Sequence, residues 1–280
     1  MSRYLILACL LFSSTQKLLA DEPLRVMSFN IRFGTANDGT NHWKHRHPLV
    51  LKTINNFSPD LLGTQETLIT QAQYLSQNLK EYATFGRSRD KNPNQGEQCT
   101  IFFRKDKFQL LESGQFWLSK TPKTIASKSW DSSLPRIASW VRLKHKKSKR
   151  ELYFLNTHFD HRGKTARLES AKLIAKEIEK FKKPTIVTGD FNCGENSKPY
   201  NALAKNKIVK LSDSYRKSHP QPSSGEGTFN GFRGTDTGQR IDWILHTPDF
   251  HCRFAGIDKM NDQGKYPSDH FPVTAILMFK

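Results

Sequence analysis

The chain has 280 residues, with 44 Lys and Arg against 26 Asp and Glu, which gives a formal net charge of +18 at pH 7. This length supports one large domain, and the sequence contains neither a Pro/Gly/Ser-rich linker nor an internal repeat that would favour two. The few cysteines exclude a disulfide scaffold, and the positive charge favours anionic partners such as nucleic acid, phosphorylated metabolites or lipid headgroups, although solubility alone would also explain it.

The N-terminus has the pattern of a secretory signal peptide. Arg3 supplies a positive charge, and residues 4–12 form an apolar stretch that is too short to span a bilayer. Cleavage after Ala20 would remove residues 1–20 and leave residues 21–280 as one domain. Cys9 allows a lipoprotein interpretation, which is weaker because almost no apolar region precedes it. We therefore expect a secreted or periplasmic protein.

Strands and helices alternate along the rest of the chain. The predicted strands are 24–33, 61–66, 99–104, 108–118, 137–143, 152–156, 184–188, 241–245 and 271–279. The predicted helices are 48–57, 70–79 and 165–181. Residues 212–239 are rich in Ser, Gly, Thr and Pro and are predicted to form a long surface loop. Strands dominate and helices lie between them, which predicts an α/β protein with mixed sheets and helices outside.

The densest run of positive charge is the segment Lys144–Arg150, which falls between two predicted strands. This position predicts a hairpin loop. A short run of this kind is more typical of a solvated tip than of a recognition element.

Polar side chains gather at the ends of several predicted strands. Six segments show this arrangement: Ser28-Phe29-Asn30, Gln65-Glu66, Asn156-Thr157-His158, Gly189-Asp190-Phe191-Asn192, Arg240-Ile241-Asp242-Trp243 and Ser268-Asp269-His270. Positions two apart on a strand point to the same side, and sites are often built at strand ends. Each segment alone could be a turn, a helix cap or a satisfied core histidine. Their joint occurrence favours a functional site.

The chemistry of this set is that of a hard metal ion. Carboxylates, carboxamides and histidines without thiolates suit Mg²⁺, Mn²⁺ or Ca²⁺. No nucleophile elbow, zinc-binding spacing, P-loop or dinucleotide fingerprint accompanies them. A metal that neutralises phosphoryl oxygens, together with a histidine or carboxylate that takes a proton from water, would hydrolyse a phosphate ester.

In their order along the chain, these motifs resemble the endonuclease/exonuclease/phosphatase superfamily, which includes deoxyribonuclease I, exonuclease III, inositol-polyphosphate 5-phosphatases and bacterial sphingomyelinases. The resemblance extends from Leu24 to Phe279. It implies a four-layer α/β sandwich, in which two mixed β-sheets pack face to face with helices outside. It also implies metal-dependent hydrolysis of phosphoric esters, with Mg²⁺ as the cofactor and Mn²⁺ as an alternative. The segment Trp130–Arg136 resembles one in secreted bacterial members.

The resemblance implies roles for individual residues. The implied metal positions are Asn30, Glu66 and Asp269, with Glu66 as the direct ligand. The implied catalytic residues are His158, Asp190, Asn192, Asp242 and His270. Within the second set, Asp190 and Asn192 would orient the water and the scissile phosphate, and Asp242 would orient His270. His158 corresponds to a histidine of the deoxyribonuclease I branch, and Glu97 to its acidic partner there.

Arginines near these segments are candidates for binding the substrate phosphate, because a guanidinium matches phosphate in a bidentate way. The candidates are Arg46, Arg136, Arg162 and Arg167. Trp43 and Trp130 are candidates for stacking on a substrate ring, although tryptophans more often serve packing. Three cysteines lie after residue 20. One of them, Cys193, follows the Asp-Phe-Asn motif, and its expected role is packing. One disulfide bond between two of the three cysteines is an open alternative.

The substrate stays open at this point. The positive charge and the pair of His158 and Glu97 favour a nuclease-like phosphodiesterase. The alternatives are a phospholipid or phosphoinositide phosphodiesterase or phosphatase and, less favoured, an inactive protein that binds polyanions. The expected partner is therefore a phosphate-ester substrate, with nucleic acid and membrane-surface lipid as candidates. Nothing in the sequence indicates a stable protein partner.

Overall fold

The structure is a computed structural model, and it describes residues 22–280. The predicted signal peptide, residues 1–20, lies outside the described residues. The strands are β1 (Leu24–Asn30), β2 (Leu61–Thr67), β3 (Tyr82–Phe85), β4 (Gln98–Arg104), β5 (Phe108–Trp117), β6 (Ile137–His145), β7 (Glu151–His158), β8 (Thr185–Asp190), β9 (Ser212–Asp213), β10 (Asp242–His246), β11 (Phe250–Ile257) and β12 (Val273–Phe279). The helices are α1 (Trp43–Phe57), α2 (Ile69–Asn78), α3 (Lys164–Phe181), α4 (Lys198–Ala204) and α5 (Ser214–Ser218), with a 3-10 turn at Gly39–Asn41.

The strands form two six-stranded mixed sheets. The first has the order β11-β12-β1-β2-β4-β3, and the second has the order β5-β6-β7-β8-β10-β9. Each sheet contains one parallel pair at its centre, β1 with β2 and β7 with β8, and its other pairs are antiparallel. Parallel strands end at the same edge of a sheet. The two parallel pairs therefore bring four strand ends together, which positions the polar segments described above.

Three apolar clusters separate four layers of structure. The central cluster lies between the sheets and includes Leu61, Phe103, Phe154 and Leu277. A second cluster packs the outer face of the second sheet against α3 and α4, and a third packs the first sheet against α1 and α2. Both faces of each sheet are thus covered. The predicted four-layer sandwich with helices outside is confirmed.

Near the edge that carries the polar segments, the central layer is polar rather than apolar. Asn156 is fully buried, and its amide donates to the carbonyl oxygens of Thr64 and Thr100 at 2.9 and 3.0 Å. Its Oδ1 accepts from Gln65 at 2.7 Å and from Thr188 at 3.1 Å. Asn156 therefore links both sheets directly beneath the strand ends.

Gly63 makes this close approach of the sheets feasible. A Cβ atom at this position would lie 2.2 Å from Thr188 Oγ1 and 2.6 Å from Asn156 Oδ1. Any larger residue would therefore push the two sheets apart at this point.

The element boundaries differ from the predictions in several places. Helix α1 begins at Trp43, five residues before the predicted start, because the side chain of His42 accepts a hydrogen bond from Lys44 N and Pro48 lies inside the helix. Strands β3 and β11 and helix α4 were not predicted. The predicted long surface loop at 212–239 is wrong in part: it starts with β9 and α5, and Thr228 and Asn230 within it are buried.

The basic run at residues 144–150 does form a hairpin, since it joins β6 to β7. The hairpin lies at the opposite end of the sheet from His158, which ends β7. No helix within residues 22–280 is long and apolar enough to cross a membrane. Cys99, Cys193 and Cys252 are all free thiols, and burial raises the pKa of Cys193 to about 11, which agrees with a packing role.

Candidate active site

One cavity collects most of the predicted site residues. It has a volume of about 510 Å³ and lies at the edge where β1, β2, β7 and β8 end. Strand β10 runs antiparallel to β8, and its first residue Asp242 is paired with Asp190. Of the predicted residues, those lining the cavity are Glu66, Glu97, Arg136, His158, Asp190, Asn192, Asp269 and His270.

Glu66 projects its carboxylate into this cavity from an irregular part of β2. The pairing of β2 with β4 is interrupted between Thr64 and Thr67, and Glu66 has a positive φ of 57°. A left-handed conformation is unfavourable for a non-glycine residue and is typical of functional sites. Asn30 Nδ2 donates to Glu66 Oε1 at 3.1 Å, and the backbone N–H of Phe33 donates to Oε2 at 3.1 Å. The carboxylate is therefore fixed in position.

Asp190 lies at the centre of the site. Its Oδ2 accepts from Asn30 Nδ2 at 3.0 Å, and its Oδ1 accepts from the backbone N–H of Asn192 at 2.9 Å. Burial, together with the nearby Asp242 carboxylate, raises the pKa of Asp190 to about 7. A carboxyl group with this pKa can exchange a proton near neutral pH.

His270 is held by Asp242, as the resemblance implies. His270 Nδ1 lies 2.9 Å from Asp242 Oδ2, and its Nε2 lies 3.8 Å from Asp190 Oδ2. Burial alone would lower the pKa of His270, but the Asp242 and Asp190 carboxylates outweigh it and raise this pKa well above its ordinary value. The structure thus favours an imidazolium that points towards the cavity.

His158 has the opposite electrostatic environment. Burial and the nearby guanidinium groups of Arg136 and Arg89 lower its pKa well below the ordinary value, which favours the neutral ring. Its Nε2 lies 3.0 Å from Asn192 Nδ2, which also donates to the carbonyl of Phe159. A neutral His158 that accepts from the Asn192 amide would therefore orient that amide.

The expected pair of His158 and Glu97 is looser in the structure than a hydrogen bond. The distance between His158 Nδ1 and Glu97 Oε2 is 3.8 Å. Glu97 instead accepts two hydrogen bonds from Arg89, at 2.8 and 2.9 Å. Arg89 was not singled out from the sequence, because it lies in a turn-rich segment without a motif; only the tertiary structure places it beside Glu97.

Asp269 is a buried residue of the cavity lining and lies beside Arg32. Its Oδ1 lies 3.2 Å from Ser268 Oγ, and its Oδ2 lies 3.7 Å from the Nε of Arg32. Burial raises the pKa of Asp269, and Arg32 in turn forms a bidentate pair with Asp38 at 3.0 Å. Asp269 is therefore close to the predicted metal position but is already engaged by a cation.

The four candidate arginines have different environments. Arg136 is buried in the cavity wall, its Nη2 lies 2.9 Å from His161 Nδ1, and its Nη1 has no partner among the described residues. Arg162 is exposed, and Arg167 donates to the carbonyl of Asp160 at 2.8 Å; neither lines the cavity. Arg136 is therefore the candidate best placed to bind a phosphate.

Arg46 has a structural environment instead. Its guanidinium is buried and donates to the backbone carbonyls of Asn41, Ile31, Pro267 and Arg32 at 2.6–3.0 Å. Four of its five N–H groups are thereby used, and Arg46 does not line the cavity. This correction to the expected phosphate contact has a simple cause: the arginine fastens the start of α1 to the segments after β1 and before His270. Trp43, beside it, packs against Tyr74 with ring centroids 5.8 Å apart.

The donor set fits a divalent cation. Potential ligand atoms of Glu66, His158 and Asp190 all lie within 4.8 Å of one another, and so do those of Asp190, Asp242 and His270. Among the residues that the structure describes, the Asp242 Oδ1 atom has no hydrogen-bond partner although it is buried. Several carboxylates that converge with an incomplete set of hydrogen bonds are the environment that Mg²⁺ or Mn²⁺ would stabilise. Glu66 and Asp190, both oriented by Asn30, are the residues that would hold the ion.

Comparison with known proteins agrees with this geometry. A model of the endonuclease/exonuclease/phosphatase family matches residues 27–270. The chain belongs to this family. Its members hydrolyse phosphoric esters and depend on divalent metals, so the chain is assigned to a family of phosphoric ester hydrolases.

Two solved structures from Bacteroides thetaiotaomicron are similar over their whole length. One is an endonuclease/exonuclease/phosphatase family protein, with 36% identity and a TM-score of 0.86, and the match covers 93% of this chain and 99% of that one. The other is a mannosyl-6-phosphatase, with 37% identity and a TM-score of 0.84, covering 91% and 100%.

More distant similarity extends to nocturnin. The protein from Rattus norvegicus is 25% identical over 281 residues, which cover 89% of this chain but 63% of the relative. The chain thus spans less than two thirds of the length of that curated relative. The human nocturnin catalytic domain, at 24% identity and a TM-score of 0.75, shares the fold.

Proposed function

We propose that the protein is a hydrolase of phosphoric esters that uses Mg²⁺, or Mn²⁺ in its place, and that its substrate carries a sugar phosphate. The observation that carries the proposal is the convergence of Glu66, Asp190 and the His270–Asp242 pair on one cavity. When bound, the metal would neutralise charge on the phosphoryl oxygens. The remaining chemistry belongs to the side chains.

The side chains divide this chemistry between them. Asp190, fixed by hydrogen bonds from Asn30 and from the backbone N–H of Asn192, accepts a proton from the attacking water as the water oxygen bonds to phosphorus. The ester P–O bond breaks, and the leaving oxygen takes up a proton from solvent. His270, held as an imidazolium by Asp242, donates to a phosphoryl oxygen and balances the charge that develops there. The Asn192 amide, oriented by His158, is placed to fix the phosphate for in-line attack.

Three observations favour a sugar phosphate over a nucleic acid. The basic hairpin at 144–150 lies at the opposite end of the sheet, so its positive charges do not line the cavity. The cavity itself is limited to about 510 Å³. A mannosyl-6-phosphatase is 37% identical to the chain.

A nuclease-like phosphodiesterase is the second candidate. The net charge of +18 favours it, and a relative from Mycosarcoma maydis, 24% identical over 242 residues, is a 3'-5'-exoribonuclease subunit. That match covers 67% of this chain and 36% of the relative. The lipid and binding-only alternatives stay as outcomes of the test below.

The test is phosphate release or cleavage by residues 21–280 on four substrates: mannose 6-phosphate, bis-p-nitrophenyl phosphate, plasmid DNA and mixed phospholipid vesicles. Each is incubated with Mg²⁺, with Mn²⁺ and with EDTA. We expect metal-dependent release from mannose 6-phosphate. Plasmid nicking without that release would establish the nuclease instead, lipid cleavage would establish the lipid enzyme, and polyanion binding in EDTA without any product would establish the binding protein.

A matched pair of variants ties activity to the site. Glu66→Gln should lower turnover at least 100-fold at a fixed Mg²⁺ concentration, because the amide loses the charge that attracts the ion. Glu112→Gln, at an exposed position of β5, should retain the wild-type rate. Equal rates for the two variants would overturn the role of Glu66.

We further propose that the protein is exported. The charged residue Arg3 and the short apolar stretch at 4–12 support this proposal. Fractionation of producing cells with mass measurement of the purified chain should give a periplasmic or extracellular protein that begins at Asp21. A chain recovered from the cytoplasm with residues 1–20 intact would contradict it.

A further inference from the structure

A second groove lies outside the catalytic cavity, on the outer face of the second sheet. It has a volume of about 820 Å³ and is bounded by α3, β5 and the segment 119–130. No residue that lines it also lines the catalytic cavity. Its lining combines two partly exposed tryptophans, Trp130 and Trp140, with lysines and hydroxyl-bearing side chains.

The position of Trp140 requires a glycine in the neighbouring strand. Gly114 of β5 is paired with Trp140 of β6, and a Cβ atom at Gly114 would lie 2.5 Å from Trp140 Cζ2. Glycine weakens the interior of a strand, and its presence there often marks a close approach by another group. Tyr153 and Phe181 flank the indole, each with ring centroids 5.6 Å away. The Trp140 indole thus lies against β5 at Gly114.

Trp130 is held in the groove at an energetic cost. Its φ of 57° is in the left-handed region, which costs a bulky residue roughly 1–2 kcal/mol. Its neighbours impose this conformation. Asp131 accepts from the backbone N–H groups of Thr165 and Ala166 at the start of α3, at 3.1 and 2.6 Å, and Ser129 Oγ accepts from Lys120 N at 3.0 Å. Strain of this kind is typical of functional positions.

The groove also has an excess of positive charge. On α3, Lys172 and Lys180 are paired with Glu169 and Glu177 at 2.7 and 2.6 Å. By contrast, the lining residues Lys120, Lys123 and Lys176 have no acidic partner within residues 22–280. These three ammonium groups are free to donate hydrogen bonds to hydroxyl or anionic groups of a ligand.

The groove and the catalytic cavity share one structural segment. Residues 129–136 contribute Trp130 to the groove and Leu134 and Arg136 to the cavity. Asp160 fixes this segment, since its Oδ2 accepts from the backbone N–H of Ser133 at 3.0 Å. Six residues of chain span at most about 20 Å, so one extended ligand can reach both places.

We propose that this groove binds the saccharide chain of a phosphorylated oligosaccharide whose phosphate enters the catalytic cavity. The flat apolar faces of sugar rings would stack on Trp130 and Trp140, and the unpaired lysines would bind their hydroxyl or acidic groups. Single-stranded nucleic acid also combines stacking with lysine contacts. We favour the saccharide because a mannosyl-6-phosphatase is 37% identical to the chain, and single-stranded nucleic acid is an outcome of the test below. The location of the phosphate, but not the groove itself, rests on the proposed function.

The test uses mannohexaose, with and without a terminal 6-phosphate, in isothermal titration with the full mature chain. The unphosphorylated hexasaccharide contains no phosphate ester, so its binding reports on the groove alone. We expect Trp130→Ala to weaken the binding of both probes at least tenfold and to raise the KM for the phosphorylated one, while turnover of mannose 6-phosphate stays within twofold. Trp43→Ala, which removes a partly exposed tryptophan outside the groove, is the matched control.

A second variant tests the groove at a position away from Trp130, whose backbone is strained. Lys176→Ala, on the surface of α3, should weaken mannohexaose binding at least threefold. The proposal is overturned if mannohexaose does not bind, if Trp130→Ala binds it as Trp43→Ala does, or if octathymidylate binds more tightly and depends on Trp130. If the wild type releases no phosphate but Trp130→Ala still loses mannohexaose binding, the groove stands and the proposed function fails.

Discussion

Asp242→Asn is the most informative perturbation of the catalytic pair. The Asp242 carboxylate is buried, and His270 Nδ1, 2.9 Å away, is its hydrogen-bond partner. Asparagine keeps the shape but removes the charge. A hydrogen bond to a charged group contributes about 1.5–3 kcal/mol, which corresponds to roughly a 10- to 100-fold change in rate. Asp242 also selects the tautomer of His270, and losing that selection lowers the rate further. An analogous change in a serine protease triad lowers kcat about 10⁴-fold. We therefore expect a loss in kcat of about 10²- to 10⁴-fold.

The same change should also lower the stability of the fold. Among the described residues, Asp242 Oδ1 is buried without a hydrogen-bond partner, so the amide removes a poorly solvated charge. It also leaves the buried His270 imidazolium without its charged partner, and breaking one side of a buried ion pair costs about 3–5 kcal/mol. We therefore expect the free energy of unfolding to fall by about 3 kcal/mol. Thermal unfolding followed by circular dichroism measures this change.

The assay is the initial rate of ester hydrolysis at saturating Mg²⁺, for Asp242→Asn, His270→Ala and the double variant. If Asp242 acts only through His270, the double variant is no slower than His270→Ala alone. A near-normal rate for Asp242→Asn at metal saturation would refute the reasoning. So would a double variant whose loss equals the product of the two single losses.

Three further predictions concern residues around the site. Asn156→Ala removes four buried hydrogen bonds, three of them between the two sheets. It should cost about 3 kcal/mol of stability, measured by urea unfolding with an unchanged m value. Arg46→Lys loses the planar contacts to backbone carbonyls, so the melting temperature should fall while the KM stays within twofold; a raised KM in a stable variant would restore Arg46 as a phosphate ligand. Lys146→Glu combined with Lys149→Glu in the distant hairpin should leave kcat/KM unchanged at all salt concentrations, and a salt-dependent loss would indicate recognition by that hairpin.

Much of the fold could be predicted because its strands are apolar and its helices are amphipathic. The run before Asp190 and the stripe along α3 required only their local patterns. Strand β11 was missed because several of its side chains are exposed, which removes the apolar signal. Thr228 and Asn230 were assigned to a surface loop because they are polar and lie in a stretch rich in Ser, Gly, Thr and Pro. Their burial depends on bonds to distant backbone, such as that from Asn230 Nδ2 to Ser268 O at 3.2 Å.

The candidate site was likewise predicted in part from the sequence and in part missed. Glu66, Asp190 and His270 were predicted from strand-end motifs and the family resemblance, and the structure brings them to one cavity. Arg46 shows the limit of that approach, because a guanidinium beside a motif suits phosphate and backbone carbonyls equally well. The pairing of Arg89 with Glu97 likewise depends on the path of a turn-rich loop.

The sequence by itself determined which residue types stand at the strand ends and therefore the kind of chemistry available, since alternation along a strand is a local property. Only the tertiary structure decided which charges face one another. The neutral state favoured for His158 and the charged state favoured for His270 follow from neighbours that lie far away in the chain: Arg89 and Arg136 for the first, Asp242 and Asp190 for the second. Burial and opposing charge set the protonation of two identical side chains, and both are properties of the folded arrangement.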